Sequence, residues 1–450
     1  MTITAIAVLL LAGCARPGQA ANATPQSGER VWQSDGYGWI YALDGDELKI
    51  YETTSISCLP SRTLHQIGQP DPDGPRQFGR NGVVSQTLRA STSGPATAHQ
   101  VGTAADVELR PLPTLPAQCT QPTSDDPVTT FDIFWTTFAE NYNSFGRKHI
   151  DWLAVRDRYR PMVNEDTGSH ALFRILRQMI APLGDVHTTV DASHGREFDG
   201  LRPGTPDLSD HAALAAVDDH LSALGATNRL SFARGHLVYA DLPGGRGYLR
   251  ITSFENFDAD DDSYQASSAV LGQALDQIFT AGRASGLRKL IVDVRLNDGG
   301  DDALGLQVAA RLTDVPYLAF SKAPRNDPTD PGRHARAQAV RVVPAKAPHY
   351  TGPVDVLTSS LTISAGETFV EALMGRNPAP ARIGGPTQGV FADDMTRKLP
   401  NGWTFTLGNE DYIASDGHNY EGIGLPPTRP VPPFPPDSTA GPDLALDAAQ

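Results

Sequence analysis

The order strand, helix, strand after residue 245 is the sequence feature that most constrains the fold of this chain. Residues 248–251 and 290–294 are apolar and β-prone, and residues 266–279 between them have apolar side chains at helical spacing. Two strands joined by such a helix form a βαβ unit with parallel strands. The pattern therefore predicts an open α/β sheet, in which ligands bind at the carboxyl ends of the strands.

Composition indicates a folded protein that does not bind nucleic acid. The length of 450 residues allows about three domains, and 40% apolar residues are enough for a sizeable core. There are 37 Lys and Arg against 52 Asp and Glu, and the net charge of −15 repels phosphate backbones and anionic lipid surfaces. We therefore expect a mixed α/β protein without a nucleic-acid partner.

The N-terminal residues are typical of an export signal. Residues 3–13 are apolar apart from Thr4 and too few to span a bilayer. They run into Leu-Ala-Gly-Cys14, which resembles the lipobox of bacterial lipoproteins, where the cysteine is lipidated. This predicts a signal peptide over 1–13 and a protein anchored through Cys14 on the periplasmic side, with the outer membrane favoured if the source is Gram-negative. The alternative is a plain secretory signal cleaved near Ala20 or Ala21.

The other two cysteines, Cys58 and Cys119, are predicted to form a disulfide. An exported chain enters a compartment in which paired cysteines stay oxidised. Neither residue lies in a CxxC motif or beside a histidine at metal-ligand spacing. We therefore expect neither a metal ion nor a cofactor.

Changes in pattern divide the remainder of the chain. Residues 14–30 suit a lipidated tether, and residues 31–115 have the short alternating segments of a β-rich N-terminal domain. Residues 125–190 have helical apolar spacing and predict a small helical domain. After an insertion over 191–244 comes the α/β domain over 245–430, followed by a Pro-rich tail over 431–450 that we expect to be extended.

Two loops at the predicted carboxyl edge of the sheet could carry chemistry. Ser364 begins a helix, and the free N–H groups and dipole at a helix start can stabilise an oxyanion. Gly299 and Gly300 allow a tight turn or a close backbone approach. Taken singly, these residues are more simply explained as a helix N-cap and a turn. Glu367 is expected to be structural, because an acid in the first turn favours the helix dipole.

Four sequence blocks in the same order resemble the C-terminal processing, or tail-specific, serine peptidase family. They are residues 248–254 (YLRITSF), 291–300 (IVDVRLNDGG), 364–367 (SAGE) and 419–427 (NYEGIGLPP). Residues 131–187, ending in Gly-Asp-Val-His, resemble the small helical domain of that family, which also includes the tricorn core protease and the retinoid-binding repeats of the retina. The resemblance implies a catalytic domain with a βαβ core of crotonase-like fold.

The resemblance also implies roles for individual residues. Ser364 falls on the nucleophile, and the oxyanion hole falls on the N–H of Ala365 and on that of Gly299 or Gly300. One branch of the family uses a lysine as general base, but Val390 stands at that position here. The chain is therefore closer to the tricorn-like branch than to the Ser–Lys branch.

In the tricorn-like branch a histidine is the general base and a glutamate supports it. These roles fall on His187 and Glu421, and a neutral imidazole beside a carboxylate can accept a hydroxyl proton. The branch has a serine before the histidine, whereas this chain has Val186, so the connection between Glu421 and the pair stays open. The alternative for His187 is a histidine that caps a turn.

These inferences together predict an exported lipoprotein serine peptidase whose partner is a peptide or protein substrate. Residues 191–244 are too few for a complete PDZ domain, so selection of substrate C-termini is not implied. One alternative is a non-catalytic ligand-binding or peptide-binding protein on the same fold, like the retinoid-binding repeats. Another is a hydrolase of non-peptide esters.

Overall fold

The computed structural model describes residues 28–69, 74–90, 94–192, 195–206, 210–434 and 441–450. Cys14, the predicted signal peptide and most of the predicted tether lie outside the described residues. Within the described ranges, no helix has both the length and the apolar character needed to cross a membrane.

The predicted β-rich domain is a closed eight-stranded barrel. Each strand pairs antiparallel with the next, and the first closes onto the last through residues such as Trp32 and Pro111. The barrel therefore leaves no free edge of its own. Cys58, at the start of the fourth strand, forms a disulfide with Cys119, just beyond the barrel. The strands are β1 (Arg30–Ser34), β2 (Trp39–Asp44), β3 (Glu47–Thr53), β4 (Cys58–Ile67), β5 (Arg76–Arg80), β6 (Val83–Ala90), β7 (Ala96–Gln100) and β8 (Val107–Leu112).

The rest of the chain alternates helices and strands. In order, its elements are α1 (Pro127–Asn141), α2 (Trp152–Tyr159), α3 (Ser169–Ile180), β9 (Thr189–Asp191), β10 (Glu197–Asp199), α4 (Asp210–Ala223), β11 (Thr227–Phe232), β12 (Leu237–Leu242), β13 (Arg246–Ile251), α5 (Tyr264–Ile278), α6 (Ala281–Gly286), β14 (Lys289–Asp293), α7 (Asp302–Ala309), β15 (Tyr317–Pro324), β16 (Gln338–Val342), β17 (Val354–Thr358), α8 (Ala365–Met374), β18 (Ala381–Gly384), β19 (Arg397–Lys398), β20 (Thr404–Thr406), β21 (Glu410–Ala414), β22 (Arg429–Pro430) and α9 (Leu444–Ala448). The Pro-Asn-Gly segment between β19 and β20 is a hairpin turn.

The helical domain packs on a small sheet that is built from two distant parts of the chain. Strands β9 and β10 follow the helices directly, whereas β19 and β20 come from the end of the α/β domain, in the order β10-β9-β20-β19. Phe405 of β20 packs against Phe134 and Phe138 of α1, with ring centroids 4.9 and 5.8 Å apart. This packing anchors the start of β9, and with it residue 187, against the α/β domain.

The α/β domain is built on a seven-stranded sheet in the order β11-β12-β13-β14-β17-β18-β22. Strands β13, β14, β17, β18 and β22 run parallel. Side chains from the central strands pack against side chains from α5, α7 and α8 and form a buried core that includes Leu249, Val292 and Val356. The predicted βαβ unit is β13-α5-β14, extended by the short helix α6. A three-stranded sheet, β16-β15-β21, lies beside this layer.

The α/β domain begins earlier than the sequence predicts. Strands β11 and β12 lie inside the predicted insertion over 191–244, yet they extend the main sheet as an antiparallel hairpin before β13. The sequence pattern of β11 is weak because it is an edge strand whose side chains are mostly exposed. What remains of the insertion is β10, α4 and the residues around them.

The predicted extended tail instead ends in a docked helix, α9. Asp443 caps this helix by accepting a hydrogen bond from the N–H of Leu446. The same carboxylate pairs with the guanidinium of Arg295, with nitrogen–oxygen distances of 2.8 Å, and Arg295 also pairs with Asp293 at 2.7 Å. All three charged side chains are buried. The prediction of an extended tail rests on proline content. It fails because proline content carries no information about the buried pairing of Asp443 with Arg295.

We expect Asp443→Ala to destabilise the protein by about 3 kcal/mol, because it removes one of two carboxylates from a buried arginine. Asp447→Ala is the matched control on the same helix, since Asp447 is 40% exposed and pairs with His220 near the surface. That variant should lose no more than about 1 kcal/mol. Chemical denaturation measures both values. Equal losses for the two variants would contradict the buried-pair interpretation.

Candidate active site

The loops after the parallel strands meet at one edge of the sheet. Ser364 follows β17, and the glycine pair follows β14. The backbone N–H of Ile363 donates to the carbonyl of Asn297 at 2.9 Å, which joins these two loops directly. The predicted nucleophile and the predicted oxyanion turn therefore lie side by side, at the edge where open α/β sheets bind ligands.

Ser364 has a backbone conformation that is rare for a residue with a side chain. It precedes α8 with φ 53° and ψ −122°, and its hydroxyl does not cap the helix. A non-glycine residue in this region is strained, and such strain is tolerated mostly where surrounding contacts enforce it. The hydroxyl makes no hydrogen bond within the described residues. It therefore differs from an ordinary helix-capping serine, whose side chain binds an N–H of the first turn.

Gly299 packs directly on Ser364. A Cβ on Gly299 would lie 2.8 Å from the Cβ of Ser364, and the residue has φ 106°. A Cβ on Gly300 would lie 2.4 Å from the carbonyl oxygen of Phe254. Both positions therefore require glycine, for space and for backbone conformation. This close approach places the turn where its backbone can contact a group attacked by Ser364.

The backbone N–H groups at this edge differ in availability. Gly299 donates to the side chain of Asn297 at 3.1 Å. Within the described ranges, the N–H groups of Gly300 and Ala365 donate to no acceptor. Of the two glycines predicted for the oxyanion hole, Gly300 is thus the one whose donor is free, and Ala365 supplies a second donor at the start of α8.

Asn297 connects the loops and was not among the predicted site residues. Its side chain is fully buried, donates to the carbonyl of Ile251 at the end of β13 and accepts from Gly299. A Cβ on Gly366 would lie 2.5 Å from the side-chain oxygen of Asn297. The Asn-Asp-Gly-Gly turn in the sequence is the signal that could have identified this residue, because an Asx side chain often stabilises such a turn.

His187 lies in the turn that precedes β9 and is partly exposed. Its backbone N–H donates to Asp185 at 2.9 Å, and its carbonyl accepts from the hydroxyl of Thr406 at 2.7 Å. Asp185 is buried and also accepts from the hydroxyl of Tyr142 at 2.6 Å. The turn that carries His187 is therefore fixed to α1 on one side and to β20 on the other.

Two buried glutamates bind the backbone of the loop at residues 389–392. This loop contains Val390, which stands where the Ser–Lys branch of the family has its lysine. Glu367 accepts from the N–H groups of Gly389 and Val390 at 2.7 and 2.8 Å. Glu421 accepts from the N–H of Phe391 at 2.8 Å and from the next N–H at 3.3 Å. Burial raises the pKa of Glu367 to about 7 and that of Glu421 to about 8. The role of Glu367 thus goes beyond the helix dipole expected from the sequence.

Hydrogen bonds do not connect all the predicted site residues among the described ones. Among the described residues, the His187 ring makes no hydrogen bond to Ser364 or to Glu421. A charged His187 lowers the pKa of Glu367, a smaller effect than the rise caused by burial. Glu367 is three residues after Ser364, in the first turn of α8. Hydrogen bonds between catalytic groups are often long without substrate and shorten in the complex.

Comparison with known proteins agrees with this geometry. The model of peptidase family S41 matches residues 245–431, and that of the tricorn protease C1 domain matches residues 126–181. Residues 245–431 therefore form a domain that matches peptidase family S41. The match covers the edge with Ser364, Gly299 and Gly300, and the tricorn C1 match covers the three helices. No curated protein matches the sequence at a significant level.

Solved structures similar to this chain have low sequence identity. A candidate peptidase from Parabacteroides merdae is 25% identical with a TM-score of 0.59, over 72% of this chain and 96% of that chain. Mature CPAF complexed with lactacystin is 13% identical with a TM-score of 0.48, over 68% and 94%. The photosystem II D1 C-terminal processing protease is 15% identical with a TM-score of 0.41, over 68% and 93%.

The interior near the candidate site contains several buried acids. Glu371, on α8, is fully buried, and neither of its carboxyl oxygens has a hydrogen-bond partner among the described residues. Burial raises its pKa well above the usual range, and the charges of Asp302 and Glu367 add to this. These acids do not form a metal site: in the part of the chain that the structure describes, no group of three His, Cys, Asp or Glu side chains could hold a metal ion.

We expect Glu371→Gln to stabilise the protein increasingly as pH rises. The unfolded carboxyl ionises above its ordinary pKa of 4.5, while the folded one stays protonated, so each pH unit above this value lowers the stability of the unmodified protein by up to about 1.4 kcal/mol. The variant and the unmodified protein should melt at similar temperatures at pH 4 and diverge by pH 8. Glu165→Gln, at an exposed position, is the control. A temperature difference independent of pH would contradict the prediction.

Proposed function

We propose that this protein is a serine hydrolase that cleaves peptide bonds through an acyl-enzyme on Ser364. The single observation that carries the proposal is the backbone of Ser364, with φ 53° at the start of α8 and Gly299 packed against it. This conformation holds the hydroxyl away from the helix cap. A strained residue at a ligand-binding edge is typical of a catalytic group.

In the proposed first step, the hydroxyl of Ser364 attacks the carbonyl of a peptide bond. His187 accepts the hydroxyl proton, directly or through one water molecule, and then donates it to the leaving amine. The N–H groups of Ala365 and Gly300 stabilise the negative charge on the carbonyl oxygen. Water then attacks the carbonyl of the acyl-enzyme while His187 accepts a proton from it. His187 returns this proton to the oxygen of Ser364 as the ester bond breaks and the acid product leaves.

Glu421 has a weaker role in this proposal than the serine and the histidine. Its carboxyl holds the backbone of Phe391, and its pKa of about 8 keeps it largely protonated at neutral pH. A neutral carboxyl does not stabilise an imidazolium by charge. Glu421 therefore supports the site by fixing the position of a loop.

We expect Ser364→Ala and His187→Ala each to reduce kcat by about a thousandfold or more, because nucleophile and base act as one unit. The double variant should be scarcely slower than either single variant. Glu421→Gln should lose much less, since an amide oxygen can still accept from Phe391. Turnover of casein and of a peptide library measures these changes, and melting curves show that the variants fold.

Lys398→Ala is the matched control. Lys398 is the lysine nearest in sequence to Val390, the position at which the Ser–Lys branch has its general base. It is exposed and donates to the carbonyl of Ser61 in the barrel. This variant should retain most of the activity. A loss as large as that of Ser364→Ala would favour a lysine mechanism instead. A fluorophosphonate probe that fails to label Ser364 would favour the alternative of a non-catalytic binding protein, and cleavage of esters alone would favour an esterase.

We also propose that the mature protein is a lipoprotein anchored through Cys14 on the periplasmic side of a membrane. The support is the sequence Leu-Ala-Gly-Cys14 after an apolar run. Cys14→Ser should move the protein from the membrane fraction to the soluble fraction. Cys119→Ser is a control that alters a cysteine outside this motif. Unchanged fractionation of the Cys14 variant would refute the anchor.

A further inference from the structure

The N-terminal barrel contacts the helix that follows the oxyanion turn, residues 299–300. Helix α7 begins two residues after Gly300. The N–H of Ala303, in the first turn of this helix, donates to the carbonyl of Gly102 at 3.1 Å. Gly102 lies in the barrel turn between β7 and β8. A backbone carbonyl of the barrel therefore caps a helix of the α/β domain.

Helix α7 lacks a cap from its own N-cap residue. Asp301 is at the N-cap position, where an aspartate side chain commonly accepts a hydrogen bond from the first turn. Within the described part of the chain, the Asp301 side chain makes no such bond. The first four N–H groups of a helix have no partner inside the helix, so the acceptor for Ala303 has to come from elsewhere. Gly102 supplies it.

The barrel approaches Asp301 so closely that only glycine fits at position 102. A Cβ on Gly102 would lie 2.0 Å from Oδ1 of Asp301, and Gly102 has φ 97°, which disfavours any side chain. The turn is closed within the barrel by Thr103, whose hydroxyl donates to the carbonyls of Gln100 and Ala105 at 2.9 and 3.2 Å. The barrel itself therefore fixes the position of the Gly102 carbonyl.

Side chains of the α/β domain hold the same region of the barrel. Gln338 of β16 accepts from the N–H of Asp106 at 3.1 Å and donates to its carbonyl at 2.6 Å. Gln265 of α5 donates to the carbonyl of Val84 in β6, the strand that pairs with β7, at 2.9 Å. The barrel is thus attached to the α/β domain at points other than α7.

The contact at Gly102 is local. Gln100 and Thr103, on either side of Gly102 in the turn, line a cavity of about 410 Å³ that Asp393 and Asp394 of the α/β domain also line. The barrel turn therefore meets α7 beside an open space rather than inside a continuous packed interface. We expect a change at Gly102 to act on the start of α7 rather than on a broad surface.

The residues before α7 in turn orient the free oxyanion donor. The N–H of Asp301 donates to the carbonyl of Phe254 at 2.9 Å, and the N–H of Phe254 donates to the carbonyl of Gly299 at 2.6 Å. A trans peptide group directs its N–H opposite to its carbonyl, so the second bond directs the N–H of Gly300 away from Phe254. Asp301 connects this peptide group to the helix that the barrel caps.

The same end of α7 contacts the helix that follows the predicted nucleophile. Asp302 is buried and accepts from the hydroxyls of Thr368 and Tyr412 at 2.6 and 2.8 Å. Thr368 is one turn after Ser364 on α8, and its N–H donates to the carbonyl of Ser364 at 3.0 Å. The start of α7 therefore contacts both the barrel turn and the helix at the nucleophile.

From these contacts, and resting on the proposed function, we propose that the N-terminal barrel positions the oxyanion turn through the cap that Gly102 places on α7. Gly102 is a positioning residue, because it acts through α7 and the N–H of Gly300 rather than on the substrate. The barrel precedes both family matches, which cover residues 126–181 and 245–431. The proposal therefore gives a role in catalysis to a domain outside those matches.

The test replaces Gly102 by alanine in the full chain. The added methyl group has to displace Asp301, so kcat for a peptide substrate should fall about 10–100-fold, less than the loss of a complete oxyanion donor. KM should change by less than about threefold, because the bond to the oxyanion forms in the transition state. A peptide aldehyde whose adduct with Ser364 places an oxygen in the oxyanion hole should bind more weakly by the same factor as kcat falls.

Gly82→Ala is the matched control. Gly82 also lies in a barrel turn with a positive φ, 83°, but a Cβ there would have no heavy atom within 4 Å among the described residues. This variant introduces the backbone strain without the contact and should keep kcat. Thr103→Val is a milder second variant that retains Gly102 and should lower kcat about 2–10-fold with KM unchanged, which keeps the test decisive if Gly102→Ala does not fold.

Hydrogen exchange measured by mass spectrometry tests the link without turnover. In Ser364→Ala protein, Gly102→Ala should increase exchange in peptides covering residues 300–306, and Gly82→Ala should not. A folded Gly102→Ala protein with unchanged kcat and exchange, or equal losses in the Gly102 and Gly82 variants, would overturn the positioning role while leaving the peptidase function intact. An unmodified protein that neither turns over peptides nor reacts with fluorophosphonate would refute the proposed function and, with it, a role of the barrel in catalysis.

Discussion

The contact between Gly299 and Ser364 is the constraint on which the active-site edge depends. It requires the loop after β14 to approach the start of α8 closely enough that a single methyl group would not fit. Asn297 maintains this approach through hydrogen bonds to Ile251 and Gly299 and through its carbonyl, which accepts from Ile363. One buried residue, Asn297, thus joins three loops at this edge, beside the strained backbone of Ser364.

Buried acids organise the other half of the site. Glu367 and Glu421 hold the backbone of residues 389–392, and Glu371 lies among them with no partner in the described part of the chain. Ionising any of these carboxyls costs free energy, because burial removes the charged form from water. The site therefore combines hydrogen-bonded acids that are close to neutral with a partly exposed His187.

Two segments that are distant in sequence meet in the small sheet beside the helical domain. Local pattern predicts the β13-α5-β14 unit and the helix that begins at Ser364, because each depends on neighbouring residues. It does not predict that β20 pairs with β9, which is more than 200 residues earlier in sequence. Local pattern also fails to predict the edge strand β11 and the docked helix α9. One is mostly exposed, and the other depends on the buried charge of Arg295.

The sequence by itself determined the family resemblance and the α/β class, and it singled out candidate serine, glycine and histidine positions, since these lie in short motifs with local physical causes. Only the tertiary structure decided that Gly300 rather than Gly299 has the free N–H and that the carboxyl of Glu421 accepts from the backbone N–H groups of residues 391 and 392. These outcomes depend on which hydrogen-bonding groups remain unsatisfied after the strands pair, and pairing between distant strands is not encoded in any single segment.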